Sequence, residues 1–452
     1  MLEKLTQLLQ LRPGEWKLAT LMLLLLAINA MVYDLVQVVA TAGFLSNVGP
    51  KQLPWVWILD MVMLLVFGSL YALVVDRAKR VYLVGWLLGG FALIYLIIFM
   101  MFSYGVPEGF NYFLLFIFAD QQSFIFPLAF WALANDVYRI AEAKRLFPVI
   151  GAGLAIGSVI GNTVAVSSAS WFARYGGQTY QLLVLASVVL LVGVAVLFAG
   201  FHDRPTRARQ SKGSEFKIRD TVEMGMDFYK NVPLFHYLAI VVFLVYMGYT
   251  IIQYNFLAVM SVAFTTAAEV QAFFGTYRIV LIVATLLFQG FVTSRLLARI
   301  EVKSSFILFP AVVALSGLSG LAFGGLTGGV MAVFVMVLVE RAWDQPARKL
   351  LQGFIPDERR GRVSTFLDTY VLAVATILAC VVLLLLFLVA SLMQLSDQTV
   401  AMMYLSITVL TGAGGTWAAI RAKAEYDQSM LNWRLTRRQR RGLTGVMNKL
   451  DL

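Results

Sequence analysis

The sequence predicts an all-α membrane protein with twelve transmembrane helices in two pseudo-symmetric sets of six, both termini cytoplasmic. Three observations predict it. Hydrophobic residues make up 60% of the 452-residue chain and charged residues only 13%, about half the share in a soluble domain. Apolar runs recur from residue 17 to residue 422, each long enough to cross a hydrocarbon core of about 30 Å. Basic residues fall almost entirely on one side of those runs. The period-two alternation of an outer-membrane barrel is absent.

The expected spans are 17–44, 52–75, 81–104, 111–135, 147–172, 180–201, 234–263, 271–298, 304–325, 327–352, 363–392 and 399–422. Several exceed 20 residues, which implies tilt or extension beyond the bilayer. With the N-terminus in the cytoplasm, 32 of the 36 Lys/Arg residues fall on the cytoplasmic side. Only Lys51 and Arg174 fall on the other, while Arg278 and Arg341 lie within spans. That split is a positive-inside signature and fixes the orientation. It also accounts for the net charge of +11 without nucleic acid as a partner.

Leu2, Leu5, Leu8 and Leu9 suggest either a short surface helix or a lead-in to the first span. The first seventeen residues lack a long apolar core with a small-residue cleavage site, so no removable signal is expected. The single cysteine, Cys380, and the isolated His202 and His236 offer neither a disulfide framework nor a metal-ligand set. No cofactor is expected. The basic tail carrying Arg434, Arg437, Arg438, Arg440 and Arg441 is suited to anionic lipid.

The longest loop, 202–233, divides the chain into N-terminal (1–201) and C-terminal (234–422) six-span halves, followed by the 423–452 tail. Asp76-Arg77-Ala78-Lys79-Arg80, after span 2, resembles the Asp-Arg-x-Gly-Arg-Arg core of the major facilitator transporters, with Lys79 in place of the glycine. Together with the six-plus-six layout this gives the major facilitator fold, whose parallel repeats place substrate near the bilayer midplane. That resemblance implies a cavity lined by spans 1, 4, 7 and 10.

Ionisable groups inside spans need a partner or a watery cavity. Span 1 carries Asp34; span 4, Asp120, Gln121 and Gln122; span 7, Gln253 and Asn255; span 10, Glu340, Arg341 and Asp344. Asp34, Asp120, Gln121, Gln253, Asn255 and Arg341 are the candidate substrate contacts. Asp120, Arg278, Glu340, Asp344 and Asp368 are candidates for coupling or gating. Arg341 can pair with Asp344 three residues on, reach a carboxylate of span 1 or 4, or offer its fork of donors to a phosphate or carboxylate. Arg278 either snorkels to the interface or gates the outer side by pairing with span 1 or 7. Asp120 is a protonatable coupling carboxylate or the partner of Arg341. Asp60 is assigned to packing or gating. Gly153, Gly157 and Gly161 lie four apart on span 5, a close-packing face; no strand precedes them to make a phosphate loop. Pro127 is expected to bend span 4.

The block from Phe130 to Gly161, with Ala134-Asn135 and Glu142-Ala143-Lys144-Arg145 leading into glycine-rich span 5, resembles the nucleotide transporters (ATP/ADP translocases) of plastids and intracellular bacteria. Residues 236–299 and the lead-in LRPGEWK at 11–17 are also similar to that family. The resemblance implies transport of a nucleotide such as ATP or ADP. The family's span 1 carries Arg-Asp-x-Lys-Asp where this chain has Tyr33-Asp34-Leu35-Val36-Gln37. Its span 7 has a Glu and a Lys where Gln253 and Leu257 stand here. Arg360-Gly361-Arg362 is similar to its Lys-Gly-Lys, with Asp368 slightly later than its aspartate.

The expected function is secondary active transport of a small, anionic organic solute by alternating access across a bacterial cytoplasmic membrane. A proton-coupled exporter of amphipathic compounds, or a non-transporting membrane partner protein, are the alternatives. No nucleophile stands with a nearby base, so an enzyme is not expected. A compact bundle of this size can work as a monomer.

Overall fold

The computed structural model describes residues 15–74, 78–201, 226, 229, 232–297, 299, 301–352 and 363–450. Leu2 to Leu9, Asp76, Arg77, nearly all of the 202–233 loop with His202, and Arg360-Gly361-Arg362 lie outside them, as do the side chains of Arg434 to Arg441. Among the described residues every regular element is helical.

The helices are α1 (Trp16–Asn47), α2 (Leu53–Val74), α3 (Arg80–Ser103), α4 (Glu108–Val137), α5 (Ile140–Tyr175) and α6 (Leu182–Phe201). They continue as α7 (Pro233–Ala263), α8 (Ala267–Phe288), α9 (Leu308–Phe323), α10 (Gly325–Val339), α11 (Leu372–Met393) and α12 (Asp397–Leu450). Eleven of the described helices are long and apolar enough to cross a bilayer, α10 when taken with its helical continuation to Gln352. The exception is α9, whose 16 residues span roughly 24 Å at 1.5 Å per residue. It fills the position expected of the ninth span. Helix α5 begins before its apolar run because Glu142 accepts the Arg139 backbone N–H at 2.9 Å, satisfying a donor at the helix start and placing negative charge there.

Contacts divide the chain into two compact units, Met1–Phe216 with Leu257–Ala284, and Lys217–Phe256 with Thr285–Leu452. The end of α7 and most of α8 therefore pack with the first six helices. Large side chains such as Trp86, Leu93 and Ile97 are exposed, as a lipid-facing surface requires.

In the first unit α1 is the central element, buried along most of its length. Gly153, Gly157 and Gly161 of α5 lie against its main chain. A Cβ at any of them would overlap the carbonyl oxygen of Leu23, Ala27 or Met31 respectively, one contact per turn of α1. This is helix approach limited by backbone, as small-residue faces allow. Helix α8 joins the same group through Gln271, whose Nε2 donates to the Ala165 carbonyl at 2.7 Å and to Ser168 Oγ at 3.1 Å. On the side expected to be cytoplasmic, Arg80 bonds Asp136 at 2.6 Å and the Ala132 carbonyl at 2.9 Å. Arg145 pairs with Glu15 at 2.9 Å. Pro127 lies inside α4 and has no N–H to return to the carbonyl four residues back.

In the second unit α9 packs on α12, where Gly412 meets the Ala314 backbone. The reversal from α9 to α10 uses Gly324 and Gly325 in succession, at φ 52° and 56°, a conformation costly to other residues. Three stretches of this unit widen into π-helix: Gln289–Thr293 after α8, Glu340–Asp344 after α10, and Phe366–Val371 before α11. Such bulges leave backbone groups without their usual partner and concentrate at functional sites.

Candidate functional site

Each unit holds one polar cluster at membrane depth. In the first, Asp34 of α1 is 2% exposed and forms an ion pair with Arg278 of α8. The guanidinium also lies 5.5 Å from the Tyr33 ring and 5.6 Å from the Phe274 ring, so it is held by one carboxylate and two π faces. Arg278 is thus turned into the protein and does not snorkel; its side chain is 15% exposed.

Beside this pair α4 supplies its polar triplet, and successive residues point different ways, as helix geometry requires. Gln121 turns to α2, its Nε2 donating to Asp60 Oδ1 at 2.8 Å and to the Asp60 carbonyl at 3.2 Å. Gln122 turns to α1 and α3: its Nε2 donates to Asn29 Oδ1 at 2.9 Å, and its Oε1 accepts the Tyr95 hydroxyl. Gln121, expected to contact substrate, is 1% exposed and its amide is committed to Asp60, which makes it a helix tie. Asp120 is half-buried, with Gln37, Asp60 and Arg278 around it.

The second cluster gathers on the π-helical stretch after α10. Glu340 accepts the Tyr246 hydroxyl at 3.0 Å and Gln345 Nε2 at 2.8 Å. Arg348 sets its Nε 2.8 Å from Asp344 Oδ2. That contact is ionic and not a directed hydrogen bond, because the N–H does not aim along it. The guanidinium also donates to the Tyr246 hydroxyl at 2.7 Å and approaches Asp368 at 3.5 Å. Gln352 donates to the other oxygen of Asp368 at 2.8 Å. Tyr246 of α7 therefore links Glu340 to Arg348, accepting from one and donating to the other.

The Arg341–Asp344 pair, one of the alternatives the spacing allowed, is not what forms. Asp344 takes Arg348, four residues on, and Arg341 is exposed. The π turn rotates the residues after Glu340, so the three-residue spacing that would align the pair on a regular helix does not hold here. The carbonyls of the widened turn are met from the neighbouring π segment: Gln289 Nε2 donates to the Arg341 carbonyl at 3.1 Å and Thr293 Oγ1 to that of Ala342 at 2.6 Å.

Of the α7 candidates, Asn255 is 4% exposed and accepts the Tyr404 hydroxyl of α12 at 2.9 Å, which makes it a tie within the second unit. Gln253 is half-buried and donates to Tyr249 at 3.2 Å. Asp368 is exposed apart from its Arg348 and Gln352 contacts. No group of three or more His, Cys, Asp and Glu poised to hold a metal occurs among the described residues.

Arg348, Tyr246, Gln37 and Asn29 were not among the sequence candidates. The Asp344-to-Arg348 spacing of four was the available signal, a helical ion-pair register. Counting Arg348 with the cytoplasmic basic residues at the end of span 10 hid it.

A family model described as TLC ATP/ADP transporter matches residues 36–341, more than half of the chain. The chain belongs to the TLC ATP/ADP transporter family. Among relatives of the family member described here is ADP,ATP carrier protein 4 of Rickettsia typhi (strain ATCC VR-144 / Wilmington), 22% identical over 228 residues. That alignment covers 47% of this chain and 44% of the relative, so the chain aligns with less than half the length of the curated relative. Solved structures of similar fold include the nucleoside transporter NupG, with a TM-score of 0.67 at 14% identity, over 89% of this chain and 99% of that one. Another is the POT family transporter PepTSo, at 0.63 and 13%, over 91% and 98%. The fold is the one these solved transporters share, and eleven of the described helices are long and apolar enough to cross a membrane.

Proposed function

We propose that this family member moves a nucleotide or similarly anionic organic solute across a bacterial cytoplasmic membrane by alternating access. The observation that carries the reading is the match to the ATP/ADP transporter family across residues 36–341. The Rickettsia relative is named as an ADP,ATP carrier, and NupG as a nucleoside transporter, which supports a nucleotide-like cargo. Arg341 supports an anionic one. It is exposed at membrane depth beside a π-helical turn while Asp344 is taken by Arg348, so its planar fork stays available to phosphate oxygens.

The remaining assignments complete this reading. The chain crosses twelve times in two six-span halves with both termini in the cytoplasm, α9 as the ninth span. Asp34, Asp120 and Gln253 contact the solute, and the Asp34–Arg278 pair opens and closes with the transport cycle. The tail meets anionic lipid, and the monomer is the working unit.

Labelled ATP, ADP and other nucleotides, offered to proteoliposomes of the purified protein with and without internal nucleotide, test the proposal. Uptake or exchange is expected for at least one, with Arg341→Gln weakening it through a raised KM. Absence of flux for every nucleotide would remove the nucleotide reading.

A further inference from the structure

The first unit holds a cavity of about 180 Å³ between α2, α3 and α4. Phe67 of α2, Trp86 and Phe91 of α3 and Phe118 of α4 line it with aromatic rings. Gly90 of α3 keeps it open, since a Cβ there would meet nothing within 4 Å. Trp86 is 64% exposed and stands two and three helical turns from exposed Leu93 and Ile97, on the same face of α3. The mouth of the cavity therefore opens toward lipid. No lining residue carries a charge, so the phosphates of a nucleotide find no partner there.

One lining group does not suit an apolar cavity. Gln121, near the middle of α4, is 1% exposed, and its Nε2 donates to two acceptors of the same residue, Asp60. Two acceptors on that side fix which end of the amide is nitrogen. Its Oε1 is buried and receives no hydrogen bond. An acceptor left unpaired in such a place costs more than an average hydrogen bond contributes. Water does not answer the need, because a buried water takes about two to four polar partners, and apart from exposed Trp86 the rest of the lining is hydrocarbon or glycine. A lipid acyl chain fills the space but brings no donor. A ring that carries its own O–H meets both demands. A cavity of about 150 Å³ is enough to hold benzene, and aromatic walls receive a ring edge-to-face.

We propose that this cleft is a binding site for a bilayer-dissolved phenol, a single aromatic ring whose hydroxyl donates to Gln121 Oε1. The ring enters from the lipid past Trp86 and packs against Phe67, Phe91 and Phe118. Gln121 keeps its tie to Asp60 through Nε2 throughout, so binding completes the amide without breaking the link between α4 and α2. The inference does not depend on the cargo being a nucleotide.

Tryptophan fluorescence of the purified full-length protein in liposomes, titrated with 4-bromophenol, tests the site, because bromine quenches an indole it touches. Ligand is counted per lipid, and subtracting the Trp86→Phe signal isolates Trp86 among the nine tryptophans. Saturable quenching of Trp86 is expected in the wild type. With 4-bromotoluene, which puts a methyl in place of the hydroxyl, the half-saturation point should rise about tenfold. Gly90→Leu fills the cavity and should leave only the linear quenching of a ligand dissolved in lipid. Linear quenching in the wild type, or saturation unchanged in Gly90→Leu, would overturn the site. Equal half-saturation for the phenol and the toluene would overturn the role of Gln121 and leave the cleft to acyl chains. Should Gly90→Leu fail to fold, as judged by size-exclusion chromatography, the comparison of the two ligands on the wild type still decides the proposal. Saturable binding with no flux of any nucleotide keeps the phenol site and removes the nucleotide cargo; nucleotide flux with linear quenching does the reverse.

Discussion

Replacing Asp34 with asparagine should destabilise the first unit more than replacing both members of its ion pair. Asp34 is almost wholly buried, and the Arg278 side chain is 15% exposed. Removing one partner strands a guanidinium in a medium that cannot solvate it, which costs about 3–5 kcal/mol for a buried pair. The residual exposure places Asp34→Asn near the lower end, about 3 kcal/mol. The Tyr33 and Phe274 rings contact Arg278 in the wild type and in Asp34→Asn alike, so they do not offset the loss in the single variant. In Asp34→Asn/Arg278→Gln both charges are gone and the two amides can bond each other, so the loss should fall to about 1 kcal/mol. At about 2–4 °C per kcal/mol for a unit of this size, the single variant should lose roughly 6–12 °C and the double roughly 2–4 °C. Unfolding of such a protein is irreversible, so the comparison needs one heating rate. The fraction that stays monodisperse by size-exclusion chromatography after timed heating gives the midpoints. A double variant that loses the sum of the two single losses would refute the argument, because it would mean the two charges do not interact.

The glycine face of α5 gives a sharp contrast. Gly157→Ala places a methyl on the Ala27 carbonyl of α1 and should cost about 1–3 kcal/mol through overpacking. Gly151→Ala, with open space around it, should be neutral or slightly stabilising because alanine favours helix; equal midpoints for the two would remove the close-packing account. In the second unit Arg348→Gln strands Asp344 and should lower stability by about 3–5 kcal/mol. Arg341→Gln, at an exposed position, should change it by less than about 0.5 kcal/mol while raising KM for solute. Similar thermal midpoints for the two arginine variants would show that Arg348 is not the structural cation of that cluster.

Apolar run length and the one-sided distribution of arginine and lysine were enough to give the helical membrane class and the positions of α1 to α12, because desolvating a backbone in lipid leaves helix as the only open structure available. The family was legible in the block from Phe130 to Gly161, and the spacing of Gly153, Gly157 and Gly161 marked the face of α5 before its partner was known. The partner itself, the carbonyl edge of α1, depended on the tertiary arrangement. So did the choice of ion pairs. Sequence distance allowed Arg341 to pair with Asp344, but a π turn at Glu340–Asp344 re-aims the side chains after it and hands Asp344 to Arg348. Nothing local in the residues encodes that turn; it is held by Gln289 and Thr293 from a neighbouring helix. In the same way, residues 244 positions apart made the Asp34–Arg278 pair. The sequence by itself determined which residues lie at membrane depth. Which of them neutralise one another was decided by packing, because in a low-dielectric interior a charge is defined by its neighbours.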